Sequence, residues 1–181
     1  WNLATNINTS ILNKNNFRLI IDKIPTVEYY VRSVNIPGLQ FTEVETGAGV
    51  GVDAFFPGDK VSFDNLEVQF LVDEDLENFK EVYDWMNAII PIKDPSDFKN
   101  YVASTTTATG ELSAINNDLN QYSMITLVMN TNKNIPNRFL RFYDCFPTGI
   151  SGMELESGSE TEPVVCTATF RFTYYDIETT S

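Results

Sequence analysis

Histidine is absent from the 181-residue sequence. Its absence removes the side chain that most often acts as a general base near neutral pH, the commonest zinc ligand, and the base of a Ser-His or Cys-His nucleophile pair. Cysteine is also scarce. Cys145 and Cys166 both lie in apolar, strand-like runs, so we expect two buried free thiols, although their spacing alone leaves a disulfide open.

The sequence has few basic residues and no long apolar run. Twelve Lys and Arg stand against 25 Asp and Glu, which gives a net charge of 12 − 25 = −13. A surface of that charge repels nucleic acid. No run reaches the roughly 18 to 20 apolar residues of a membrane span. The polar, Asn-rich first residues do not resemble a secretory signal.

The residues that are abundant favour a folded, strand-rich domain. Hydrophobic residues make up 43% and aromatic residues 13% of the chain, which is typical of an ordered globular protein. Thirteen Phe and 8 Tyr accompany many Val, Ile and Thr, and these types favour strands. We therefore predict one mainly β domain over 1–181, long enough to bury its own core.

Residues 56–72 carry the clearest strand pattern. Pro57, Gly58 and Asp59 are typical of a turn, because proline fixes φ and glycine accepts a positive φ. From Val61 onward apolar and polar residues alternate, which predicts a half-buried strand. The predicted inward-facing residues are Leu66, Val68, Phe70 and Val72. The predicted outward-facing residues are Asn65, Glu67 and Gln69.

Residues 75–89 are predicted to form a helix, because the apolar period changes to that of a helix after the strand. Asp73 to Asp75 supply capping groups and negative charge at its start. We expect the helix to pack through Leu76, Phe79, Val82 and Met86. Trp85 widens this stripe, and a sugar-binding platform of Tyr83 and Trp85 is the less favoured alternative.

The remaining segments are assigned from the same signals. Strands at 17–24 and 27–36 are expected to pair as a hairpin, because only Pro25 and Thr26 separate them. Residues 1–15 are expected to be an arm, and 102–121 an exposed loop. Strands at 122–131 and 138–146 predict a second hairpin. The last strand alternates from Cys166 onward, with Thr167 and Thr169 on its polar face.

Residues 40–58 contain Gly47-Ala-Gly-Val-Gly51. The spacing is not that of a dinucleotide-binding loop, no helix pattern follows, and no Walker lysine is present, so we reject phosphate binding. We expect an extended hairpin or loop arm whose glycines let two chains approach closely.

The acidic residues do not form a catalytic or metal-binding pattern. Clusters at 73–75 and 154–162 could supply the carboxylate pair of a glycosidase, yet acids on loops and helix starts are typical of a solvated anionic surface. None follows the spacing of an EF-hand. We therefore expect no enzyme activity, no cofactor and no metal.

A series of motifs resembles the tail tube proteins of contractile-tailed, T4-like bacteriophages. Asn16 to Ile21 fits the strand "N-F-x-(L/V)-x-I", and Ile36 to Gly38 fits the "(I/L)-P-(G/A)" that follows. Gly58-Asp59 precedes an "F-(D/E)-x-(L/W)-x-V" strand, an acidic stretch, and a helix ending near Trp85. The chain closes on "T-F-x-(F/L)-x-Y-(Y/W)". The similarity spans most of residues 15–88 and the last strand, and it extends to type VI secretion tube proteins and baseplate tube initiators.

This resemblance implies a structural protein of the virion tail, assembled in the host cytoplasm. The implied fold is a small antiparallel β-barrel or two-sheet sandwich with one flanking α-helix. Six copies would form a ring, and stacked rings would form the conduit for DNA ejection. Implied partners are the tail sheath, the baseplate, the tail terminator, and transiting double-stranded DNA bound without sequence specificity.

The resemblance also implies two sets of assembly residues. The predicted inter-subunit arm consists of Phe41, Val44, Gly47, Gly49, Gly51, Phe55 and Phe56. The predicted lumen-facing residues are Asn65, Glu67, Gln69, Thr167 and Thr169. A baseplate tube initiator or a tail terminator of the same fold is the first alternative, and a monomeric carbohydrate-binding or adhesin β-sandwich is a more distant one.

Overall fold

Nine strands and two helices make up the part of the chain that a computed structural model describes, namely residues 11–47, 51, 53–90, 121–158 and 162–179. The first strands and helix are β1 (Phe17–Ile21), α1 (Pro25–Tyr30), β2 (Val31–Val34), β3 (Leu39–Gly47), β4 (Asp53–Phe63) and β5 (Leu66–Leu71). The remainder are α2 (Glu77–Ile89), β6 (Ser123–Asn130), β7 (Pro136–Ile150), β8 (Val165–Arg171) and β9 (Tyr174–Thr179).

Two antiparallel sheets share the long strand β7. The first sheet has the order β1-β6-β7-β9, and the second has β2-β5-β8 followed by the C-terminal part of β7. Asp144 has a φ of 55°, and it lies where β7 leaves the first sheet and joins the second. The predicted mainly β, antiparallel fold is confirmed, and the described strands form open sheets without closing a barrel.

One hydrophobic core lies between the two sheets. The first sheet contributes Leu19, Ile21, Ile125, Leu127, Leu140 and Phe142. The second contributes Leu66, Val68, Phe70, Cys166, Ala168 and Phe170. The alternation predicted for β5 is confirmed, because its apolar residues 66, 68 and 70 are buried while 67 and 69 are exposed. The predicted strand is interrupted, however, at Asp64-Asn65, which separates β4 from β5.

The predicted N-terminal hairpin is wrong. Residues 25–30 form α1, and β1 and β2 join different sheets, where β1 pairs with β6 and β2 with β5. Pro25 sits in the first helical turn, where its fixed φ suits a helix and its missing N–H costs nothing. Ile24 and Val27 are buried, and their spacing of three is helical. The strand prediction rests on the alternation of Val27, Tyr29 and Val31 with polar residues, but Val27 and Val31 share a face in a helix as well.

Helix α2 begins two residues later than predicted and presents a different face to the core. Its buried residues are Asn78, Val82, Trp85 and Ala88. Leu76 and Tyr83 are exposed, while Phe79 and Met86 are only partly buried. The side chain of Asn78 fixes this rotation, because its Nδ2 donates to the carbonyl of Leu71 at 2.7 Å. Asp73 accepts from the backbone N–H of Asn78 at 3.3 Å, so it does satisfy a free donor at the helix start.

The predicted turn at Pro57-Gly58-Asp59 is also wrong, because all three residues lie inside β4. Phe41 pairs with Val61 and Glu43 pairs with Pro57, so residues 58–60 of β4 lie opposite the single residue Thr42, and this segment contains a bulge. A Cβ on Gly58 would approach the carbonyl oxygen of Thr42 to 2.5 Å. Glycine is therefore required here by the close approach of two backbones, not by a turn.

Other predictions have mixed outcomes. β6 and β7 pair as the predicted hairpin, and both cysteines are buried and free. The alternation predicted beyond Arg171 breaks at Thr173, where the chain changes sheets, so Tyr175 packs on the core and Tyr174 is exposed. Most of the predicted arm (1–10) and loop (102–120) lies outside the described residues; residues 11–15 form neither helix nor strand.

Candidate assembly surfaces

The outer side of the second sheet carries a continuous polar face. Antiparallel pairing places Glu67 opposite Thr169 and Gln69 opposite Thr167. Because directly paired residues share a side of the sheet, the structure brings four of the five predicted lumen residues together, and Asn65 lies just before β5. We call this set of five residues the polar face.

Hydrogen bonds extend the polar face onto the neighbouring strands. Ser33 Oγ of β2 donates to Gln69 Oε1 at 3.0 Å, and Asn35 Oδ1 accepts from the backbone N–H of Glu67 at 2.6 Å. At the other end, the Arg171 guanidinium donates to Asn65 Oδ1 at 2.8 Å. The face is thus rich in amides and hydroxyls and sparsely charged. Neither salt bridge in the described part of the chain involves Glu67.

A second surface is the hairpin of β3 and β4, which forms a separate two-stranded sheet. Its large apolar side chains point into solvent: Phe41 is 66% exposed, Phe55 62% and Phe56 56%. Val44 pairs with Phe56 and Glu45 pairs with Phe55. Adjacent residues of a strand face opposite sides, so the hairpin carries a phenylalanine on each of its two faces.

Two of the three glycines predicted for the arm, Gly47 and Gly51, are described, and they lie near the tip of this hairpin. Gly47 pairs with Asp53 at the last step of the ladder. Gly51 has a φ of +93°, a left-handed value that other residues rarely adopt. Gly49 lies outside the described residues. The hairpin itself is present in the structure, and its contact with another subunit stays a prediction.

Open strand edges form a third surface. The first sheet ends on β1 at one side and β9 at the other, and the second ends on β2 and on residues 146–150 of β7. Within the described residues these edges have no further strand beside them. Ile177 on the β9 edge is 63% exposed although it pairs with the buried Leu140, so this edge extends past the core.

The described residues contain no group of three or more His, Cys, Asp or Glu side chains arranged to hold a metal ion. No described helix is long and apolar enough to cross a membrane.

Burial raises the pKa of the Cys145 thiol to about 12, so this thiol stays protonated. Burial lowers the pKa of Lys23 to about 8, and its Nζ lies 5.3 Å from the centre of the Trp85 ring.

Sequence reasoning misses Ser33 and Asn35, which complete one end of the polar face, and it places Arg171 on the correct side of the last strand without identifying its partner. The predicted N-terminal hairpin gives the strand of Ser33 and Asn35 the wrong partner, so it does not place these residues beside β5. Arg171 alternates with Thr167 and Thr169 along the chain, and that signal places it on the same side. Its bond to Asn65 depends on the register between β5 and β8, which the sequence does not show.

Comparisons with known proteins agree with one another. A family model described as phage tail tube protein matches residues 3–178. The tail tube terminator protein of Enterobacteria phage T4 is 30% identical to this chain over 153 residues, covering 81% of this chain and 76% of the relative.

Solved structures share the fold. A chain of the PVC sheath-tube complex, from an extracellular contractile injection system in the extended state, aligns with a TM-score of 0.58 at 12% identity, over 99% of both chains. The tube terminating cap of the anti-feeding prophage aligns with a TM-score of 0.57 at 12% identity, over 99% of this chain and 100% of that one. The PVC sheath/tube terminator aligns with a TM-score of 0.55 at 16% identity, over 93% and 96%.

Proposed function

This chain belongs to the phage tail tube protein family, a family of structural tail proteins, and we propose that within it the chain is a tube terminator, the ring that ends the tail tube. The observation that carries this proposal is the 30% identity to the T4 tail tube terminator protein. The structural similarities support the fold alone, since they include both a tube complex and two terminating assemblies at 12–16% identity.

The proposed assembly is a ring of six copies. Unprotected strand edges invite pairing with another chain, and the two larger sheets leave four edges open within the described residues. Residues of the hairpin, Phe55 on one face and Phe56 on the other, would pack on neighbouring copies. The same ring would contact the tube below it, the tail sheath outside it and, at assembly, other tail components such as the baseplate.

The polar face would line the channel of this ring. Amide and hydroxyl groups give DNA phosphates few cations to bind, and a total of 6 × −13 = −78 charges per ring repels them. DNA would therefore pass without adhering. This wall is only weakly acidic in itself, because Glu67 is its one carboxylate and Arg171 lies at its end.

A middle tube subunit is the second candidate, favoured by the family model described as phage tail tube protein, which matches residues 3–178. The two differ in how assembly stops. A tube subunit stacks ring on ring without limit, whereas a terminator forms single rings that bind a tube end. Electron microscopy of the concentrated protein, alone and added to growing tubes of the same phage, separates them. Single rings and shortened, capped tubes support the terminator; long tubes of this chain alone contradict it. A ring that binds only baseplates would indicate a tube initiator.

The hairpin is tested by replacing Phe55 and Phe56 with Ser. Both side chains are more than half exposed, so the monomer should fold normally while rings fail to form or to bind tubes. Replacing Lys60 and Ser62 with Ala on the same strand is the matched control and should leave assembly intact. Loss of the circular dichroism spectrum in the Phe55→Ser, Phe56→Ser variant would show that the hairpin belongs to the core instead.

The channel wall is tested by Glu67→Lys, which places six new cations around one ring. Rings of this variant should retain duplex DNA at low salt. Retention should fall steeply as salt is added, because six phosphate contacts make the logarithm of the binding constant fall with the logarithm of the salt concentration with a slope of about −5. Glu74→Lys changes the charge equally on an exposed turn before α2 and should not retain DNA. Equal retention by both variants would show that residue 67 does not face the channel.

A further inference from the structure

A cleft of about 380 Å³ lies between β1, α1 and β2. Its apolar walls include Phe17 and Val31, which are partly buried against the core. Three cations line it: Lys14 just before β1, Arg18 within β1 and Arg32 within β2. Glu28 of α1 is the one carboxylate of the lining, and it forms a salt bridge with Arg18. The lining thus has a formal charge of 3 − 1 = +2 in a chain whose net charge is −13.

This cleft concentrates cations that are rare elsewhere in the chain. Lys14 and Arg32 are exposed, and neither takes part in the two salt bridges of the described residues. A positive, partly apolar cleft on an otherwise anionic protein has the chemistry to bind a short acidic segment that also carries an apolar side chain.

A segment of that chemistry lies in the same chain. Residues 151–158 follow β7 and form neither helix nor strand. Leu155 is 85% exposed within this segment, and the flanking Glu154 and Glu156 are exposed as well. A leucine held this far out of contact has no packing role in its own monomer. Because Leu155 is so exposed, the segment does not occupy the cleft of its own chain.

We propose that the cleft binds the Glu154-Leu155-Glu156 segment of a second copy of this chain. Leu155 would contact the apolar wall at Phe17 and Val31, and the two glutamates would face Lys14 and Arg32. The contact is heterologous, since cleft and segment are different surfaces, and heterologous contacts of this kind generate rings when the rotation closes. The inference rests on the proposed ring. It adds one specific contact between adjacent subunits, in which the cleft of one copy binds the 154–156 segment of the next.

A charge-swap experiment tests this pairing with the full chain. One variant carries Lys14→Glu and Arg32→Glu, and the other carries Glu154→Lys and Glu156→Lys. Each variant alone should assemble about tenfold more weakly than the parent, because two rim pairs become repulsive. An equimolar mixture of the two should recover assembly, because the reversed cleft then meets the reversed segment. Sedimentation and electron microscopy report the assembled fraction.

Matched controls reverse the same number of charges elsewhere. Lys80→Glu with Lys133→Glu copies the cleft change, and Glu74→Lys with Asp75→Lys copies the segment change; all four positions are exposed. These controls should assemble like the parent, and their mixtures with the swap variants should show no rescue. Leu155→Ser should weaken assembly without changing the net charge.

Each outcome decides between the proposals. Rescue restricted to the complementary mixture establishes the pairing. Full assembly of both swap variants alone would overturn the cleft inference while leaving the ring intact. A parent chain that never assembles would refute the proposed ring itself. If the parent retains labelled duplex DNA, and only the cleft variant loses it, the cleft binds phosphate and the inference is wrong.

Discussion

Trp85 offers the sharpest test of how α2 is packed. Its side chain is completely buried, its ring centre lies 5.9 Å from that of Phe170, and its Nε1–H donates to the carbonyl of Gln121 at 2.9 Å. Tyr83 lies two residues earlier on the same helix and is 43% exposed. Truncation of each aromatic to Ala therefore compares a buried ring with an exposed one on one element.

The expected magnitudes follow from burial. A buried tryptophan removes about 150 to 250 Å² from water, which is worth about 4 to 6 kcal/mol at about 25 cal/mol per Å². Measured truncations of buried aromatics cost about 3 to 5 kcal/mol. We expect Trp85→Ala to lower the free energy of unfolding within that range, and Tyr83→Ala to lower it by about 0.5 kcal/mol or less. Trp85→Phe should cost about 1 to 3 kcal/mol, because it leaves the Gln121 carbonyl without its donor.

Urea denaturation followed by far-ultraviolet circular dichroism measures these differences. Tryptophan fluorescence is unsuitable, because the Trp85 variants remove one of the two tryptophans of the chain and leave only Trp1. With a slope of about 2 kcal/mol per molar urea, Trp85→Ala should lower the midpoint by roughly 2 M. Equal midpoints for Trp85→Ala and Tyr83→Ala would refute the described orientation of α2. A larger effect for Tyr83→Ala would show that the exposed side of the helix faces the protein core instead.

Two further predictions concern the thiol and the bulge. The pKa of the Cys145 thiol is about 12 in the folded protein and 9.0 in its ordinary state, so the contribution of this thiol to stability is complete below pH 9 and is lost as the pH rises toward 12. The difference in free energy of unfolding between the parent and Cys145→Ala should therefore become smaller over that interval. A difference that stays constant with pH would contradict the burial of the thiol. Gly58→Ala should reduce amide protection in the β3–β4 hairpin, because the added Cβ meets the Thr42 carbonyl. Hydrogen exchange measures this protection. Gly149→Ala is the control: a Cβ there has nothing within 4 Å, so protection in the hairpin should stay unchanged.

The elements that can be predicted well from the sequence are those whose pattern has a single explanation. In β5, strict alternation of apolar and polar residues fits a strand and nothing else, so the pattern by itself places Glu67 and Gln69 on the correct side. The α1 segment is ambiguous, because Val27 and Val31 share a face whether the chain is helical or extended. Ile24 and Val27 are both buried and lie three residues apart, which identifies the segment as helical. Their burial depends on the fold and is not visible in the sequence.

Pairing across the chain is harder to predict than the elements themselves. β7 belongs to both sheets, and the change of sheet at Asp144 follows from its left-handed φ and the neighbouring bulge. Asp is depleted in strands and is among the residues that accept a positive φ, but this local signal does not show which sheet the chain joins next. The polar face depends on the same long-range information, since Asn65 and Arg171 meet only because β5 and β8 lie in register.

The exposed phenylalanines of the hairpin are the physical reason for proposing an assembly surface there. An isolated two-stranded hairpin is at best marginally stable in water, and this one carries Phe55 and Phe56 on opposite faces. A hairpin packed on its own domain would bury at least one of these faces. Both phenylalanines are more than half exposed, so the described residues cover neither of them, and we propose that a partner covers each face. The proposed ring of copies would supply these partners, because a hairpin inserted between two neighbouring copies would remove both of its faces from water.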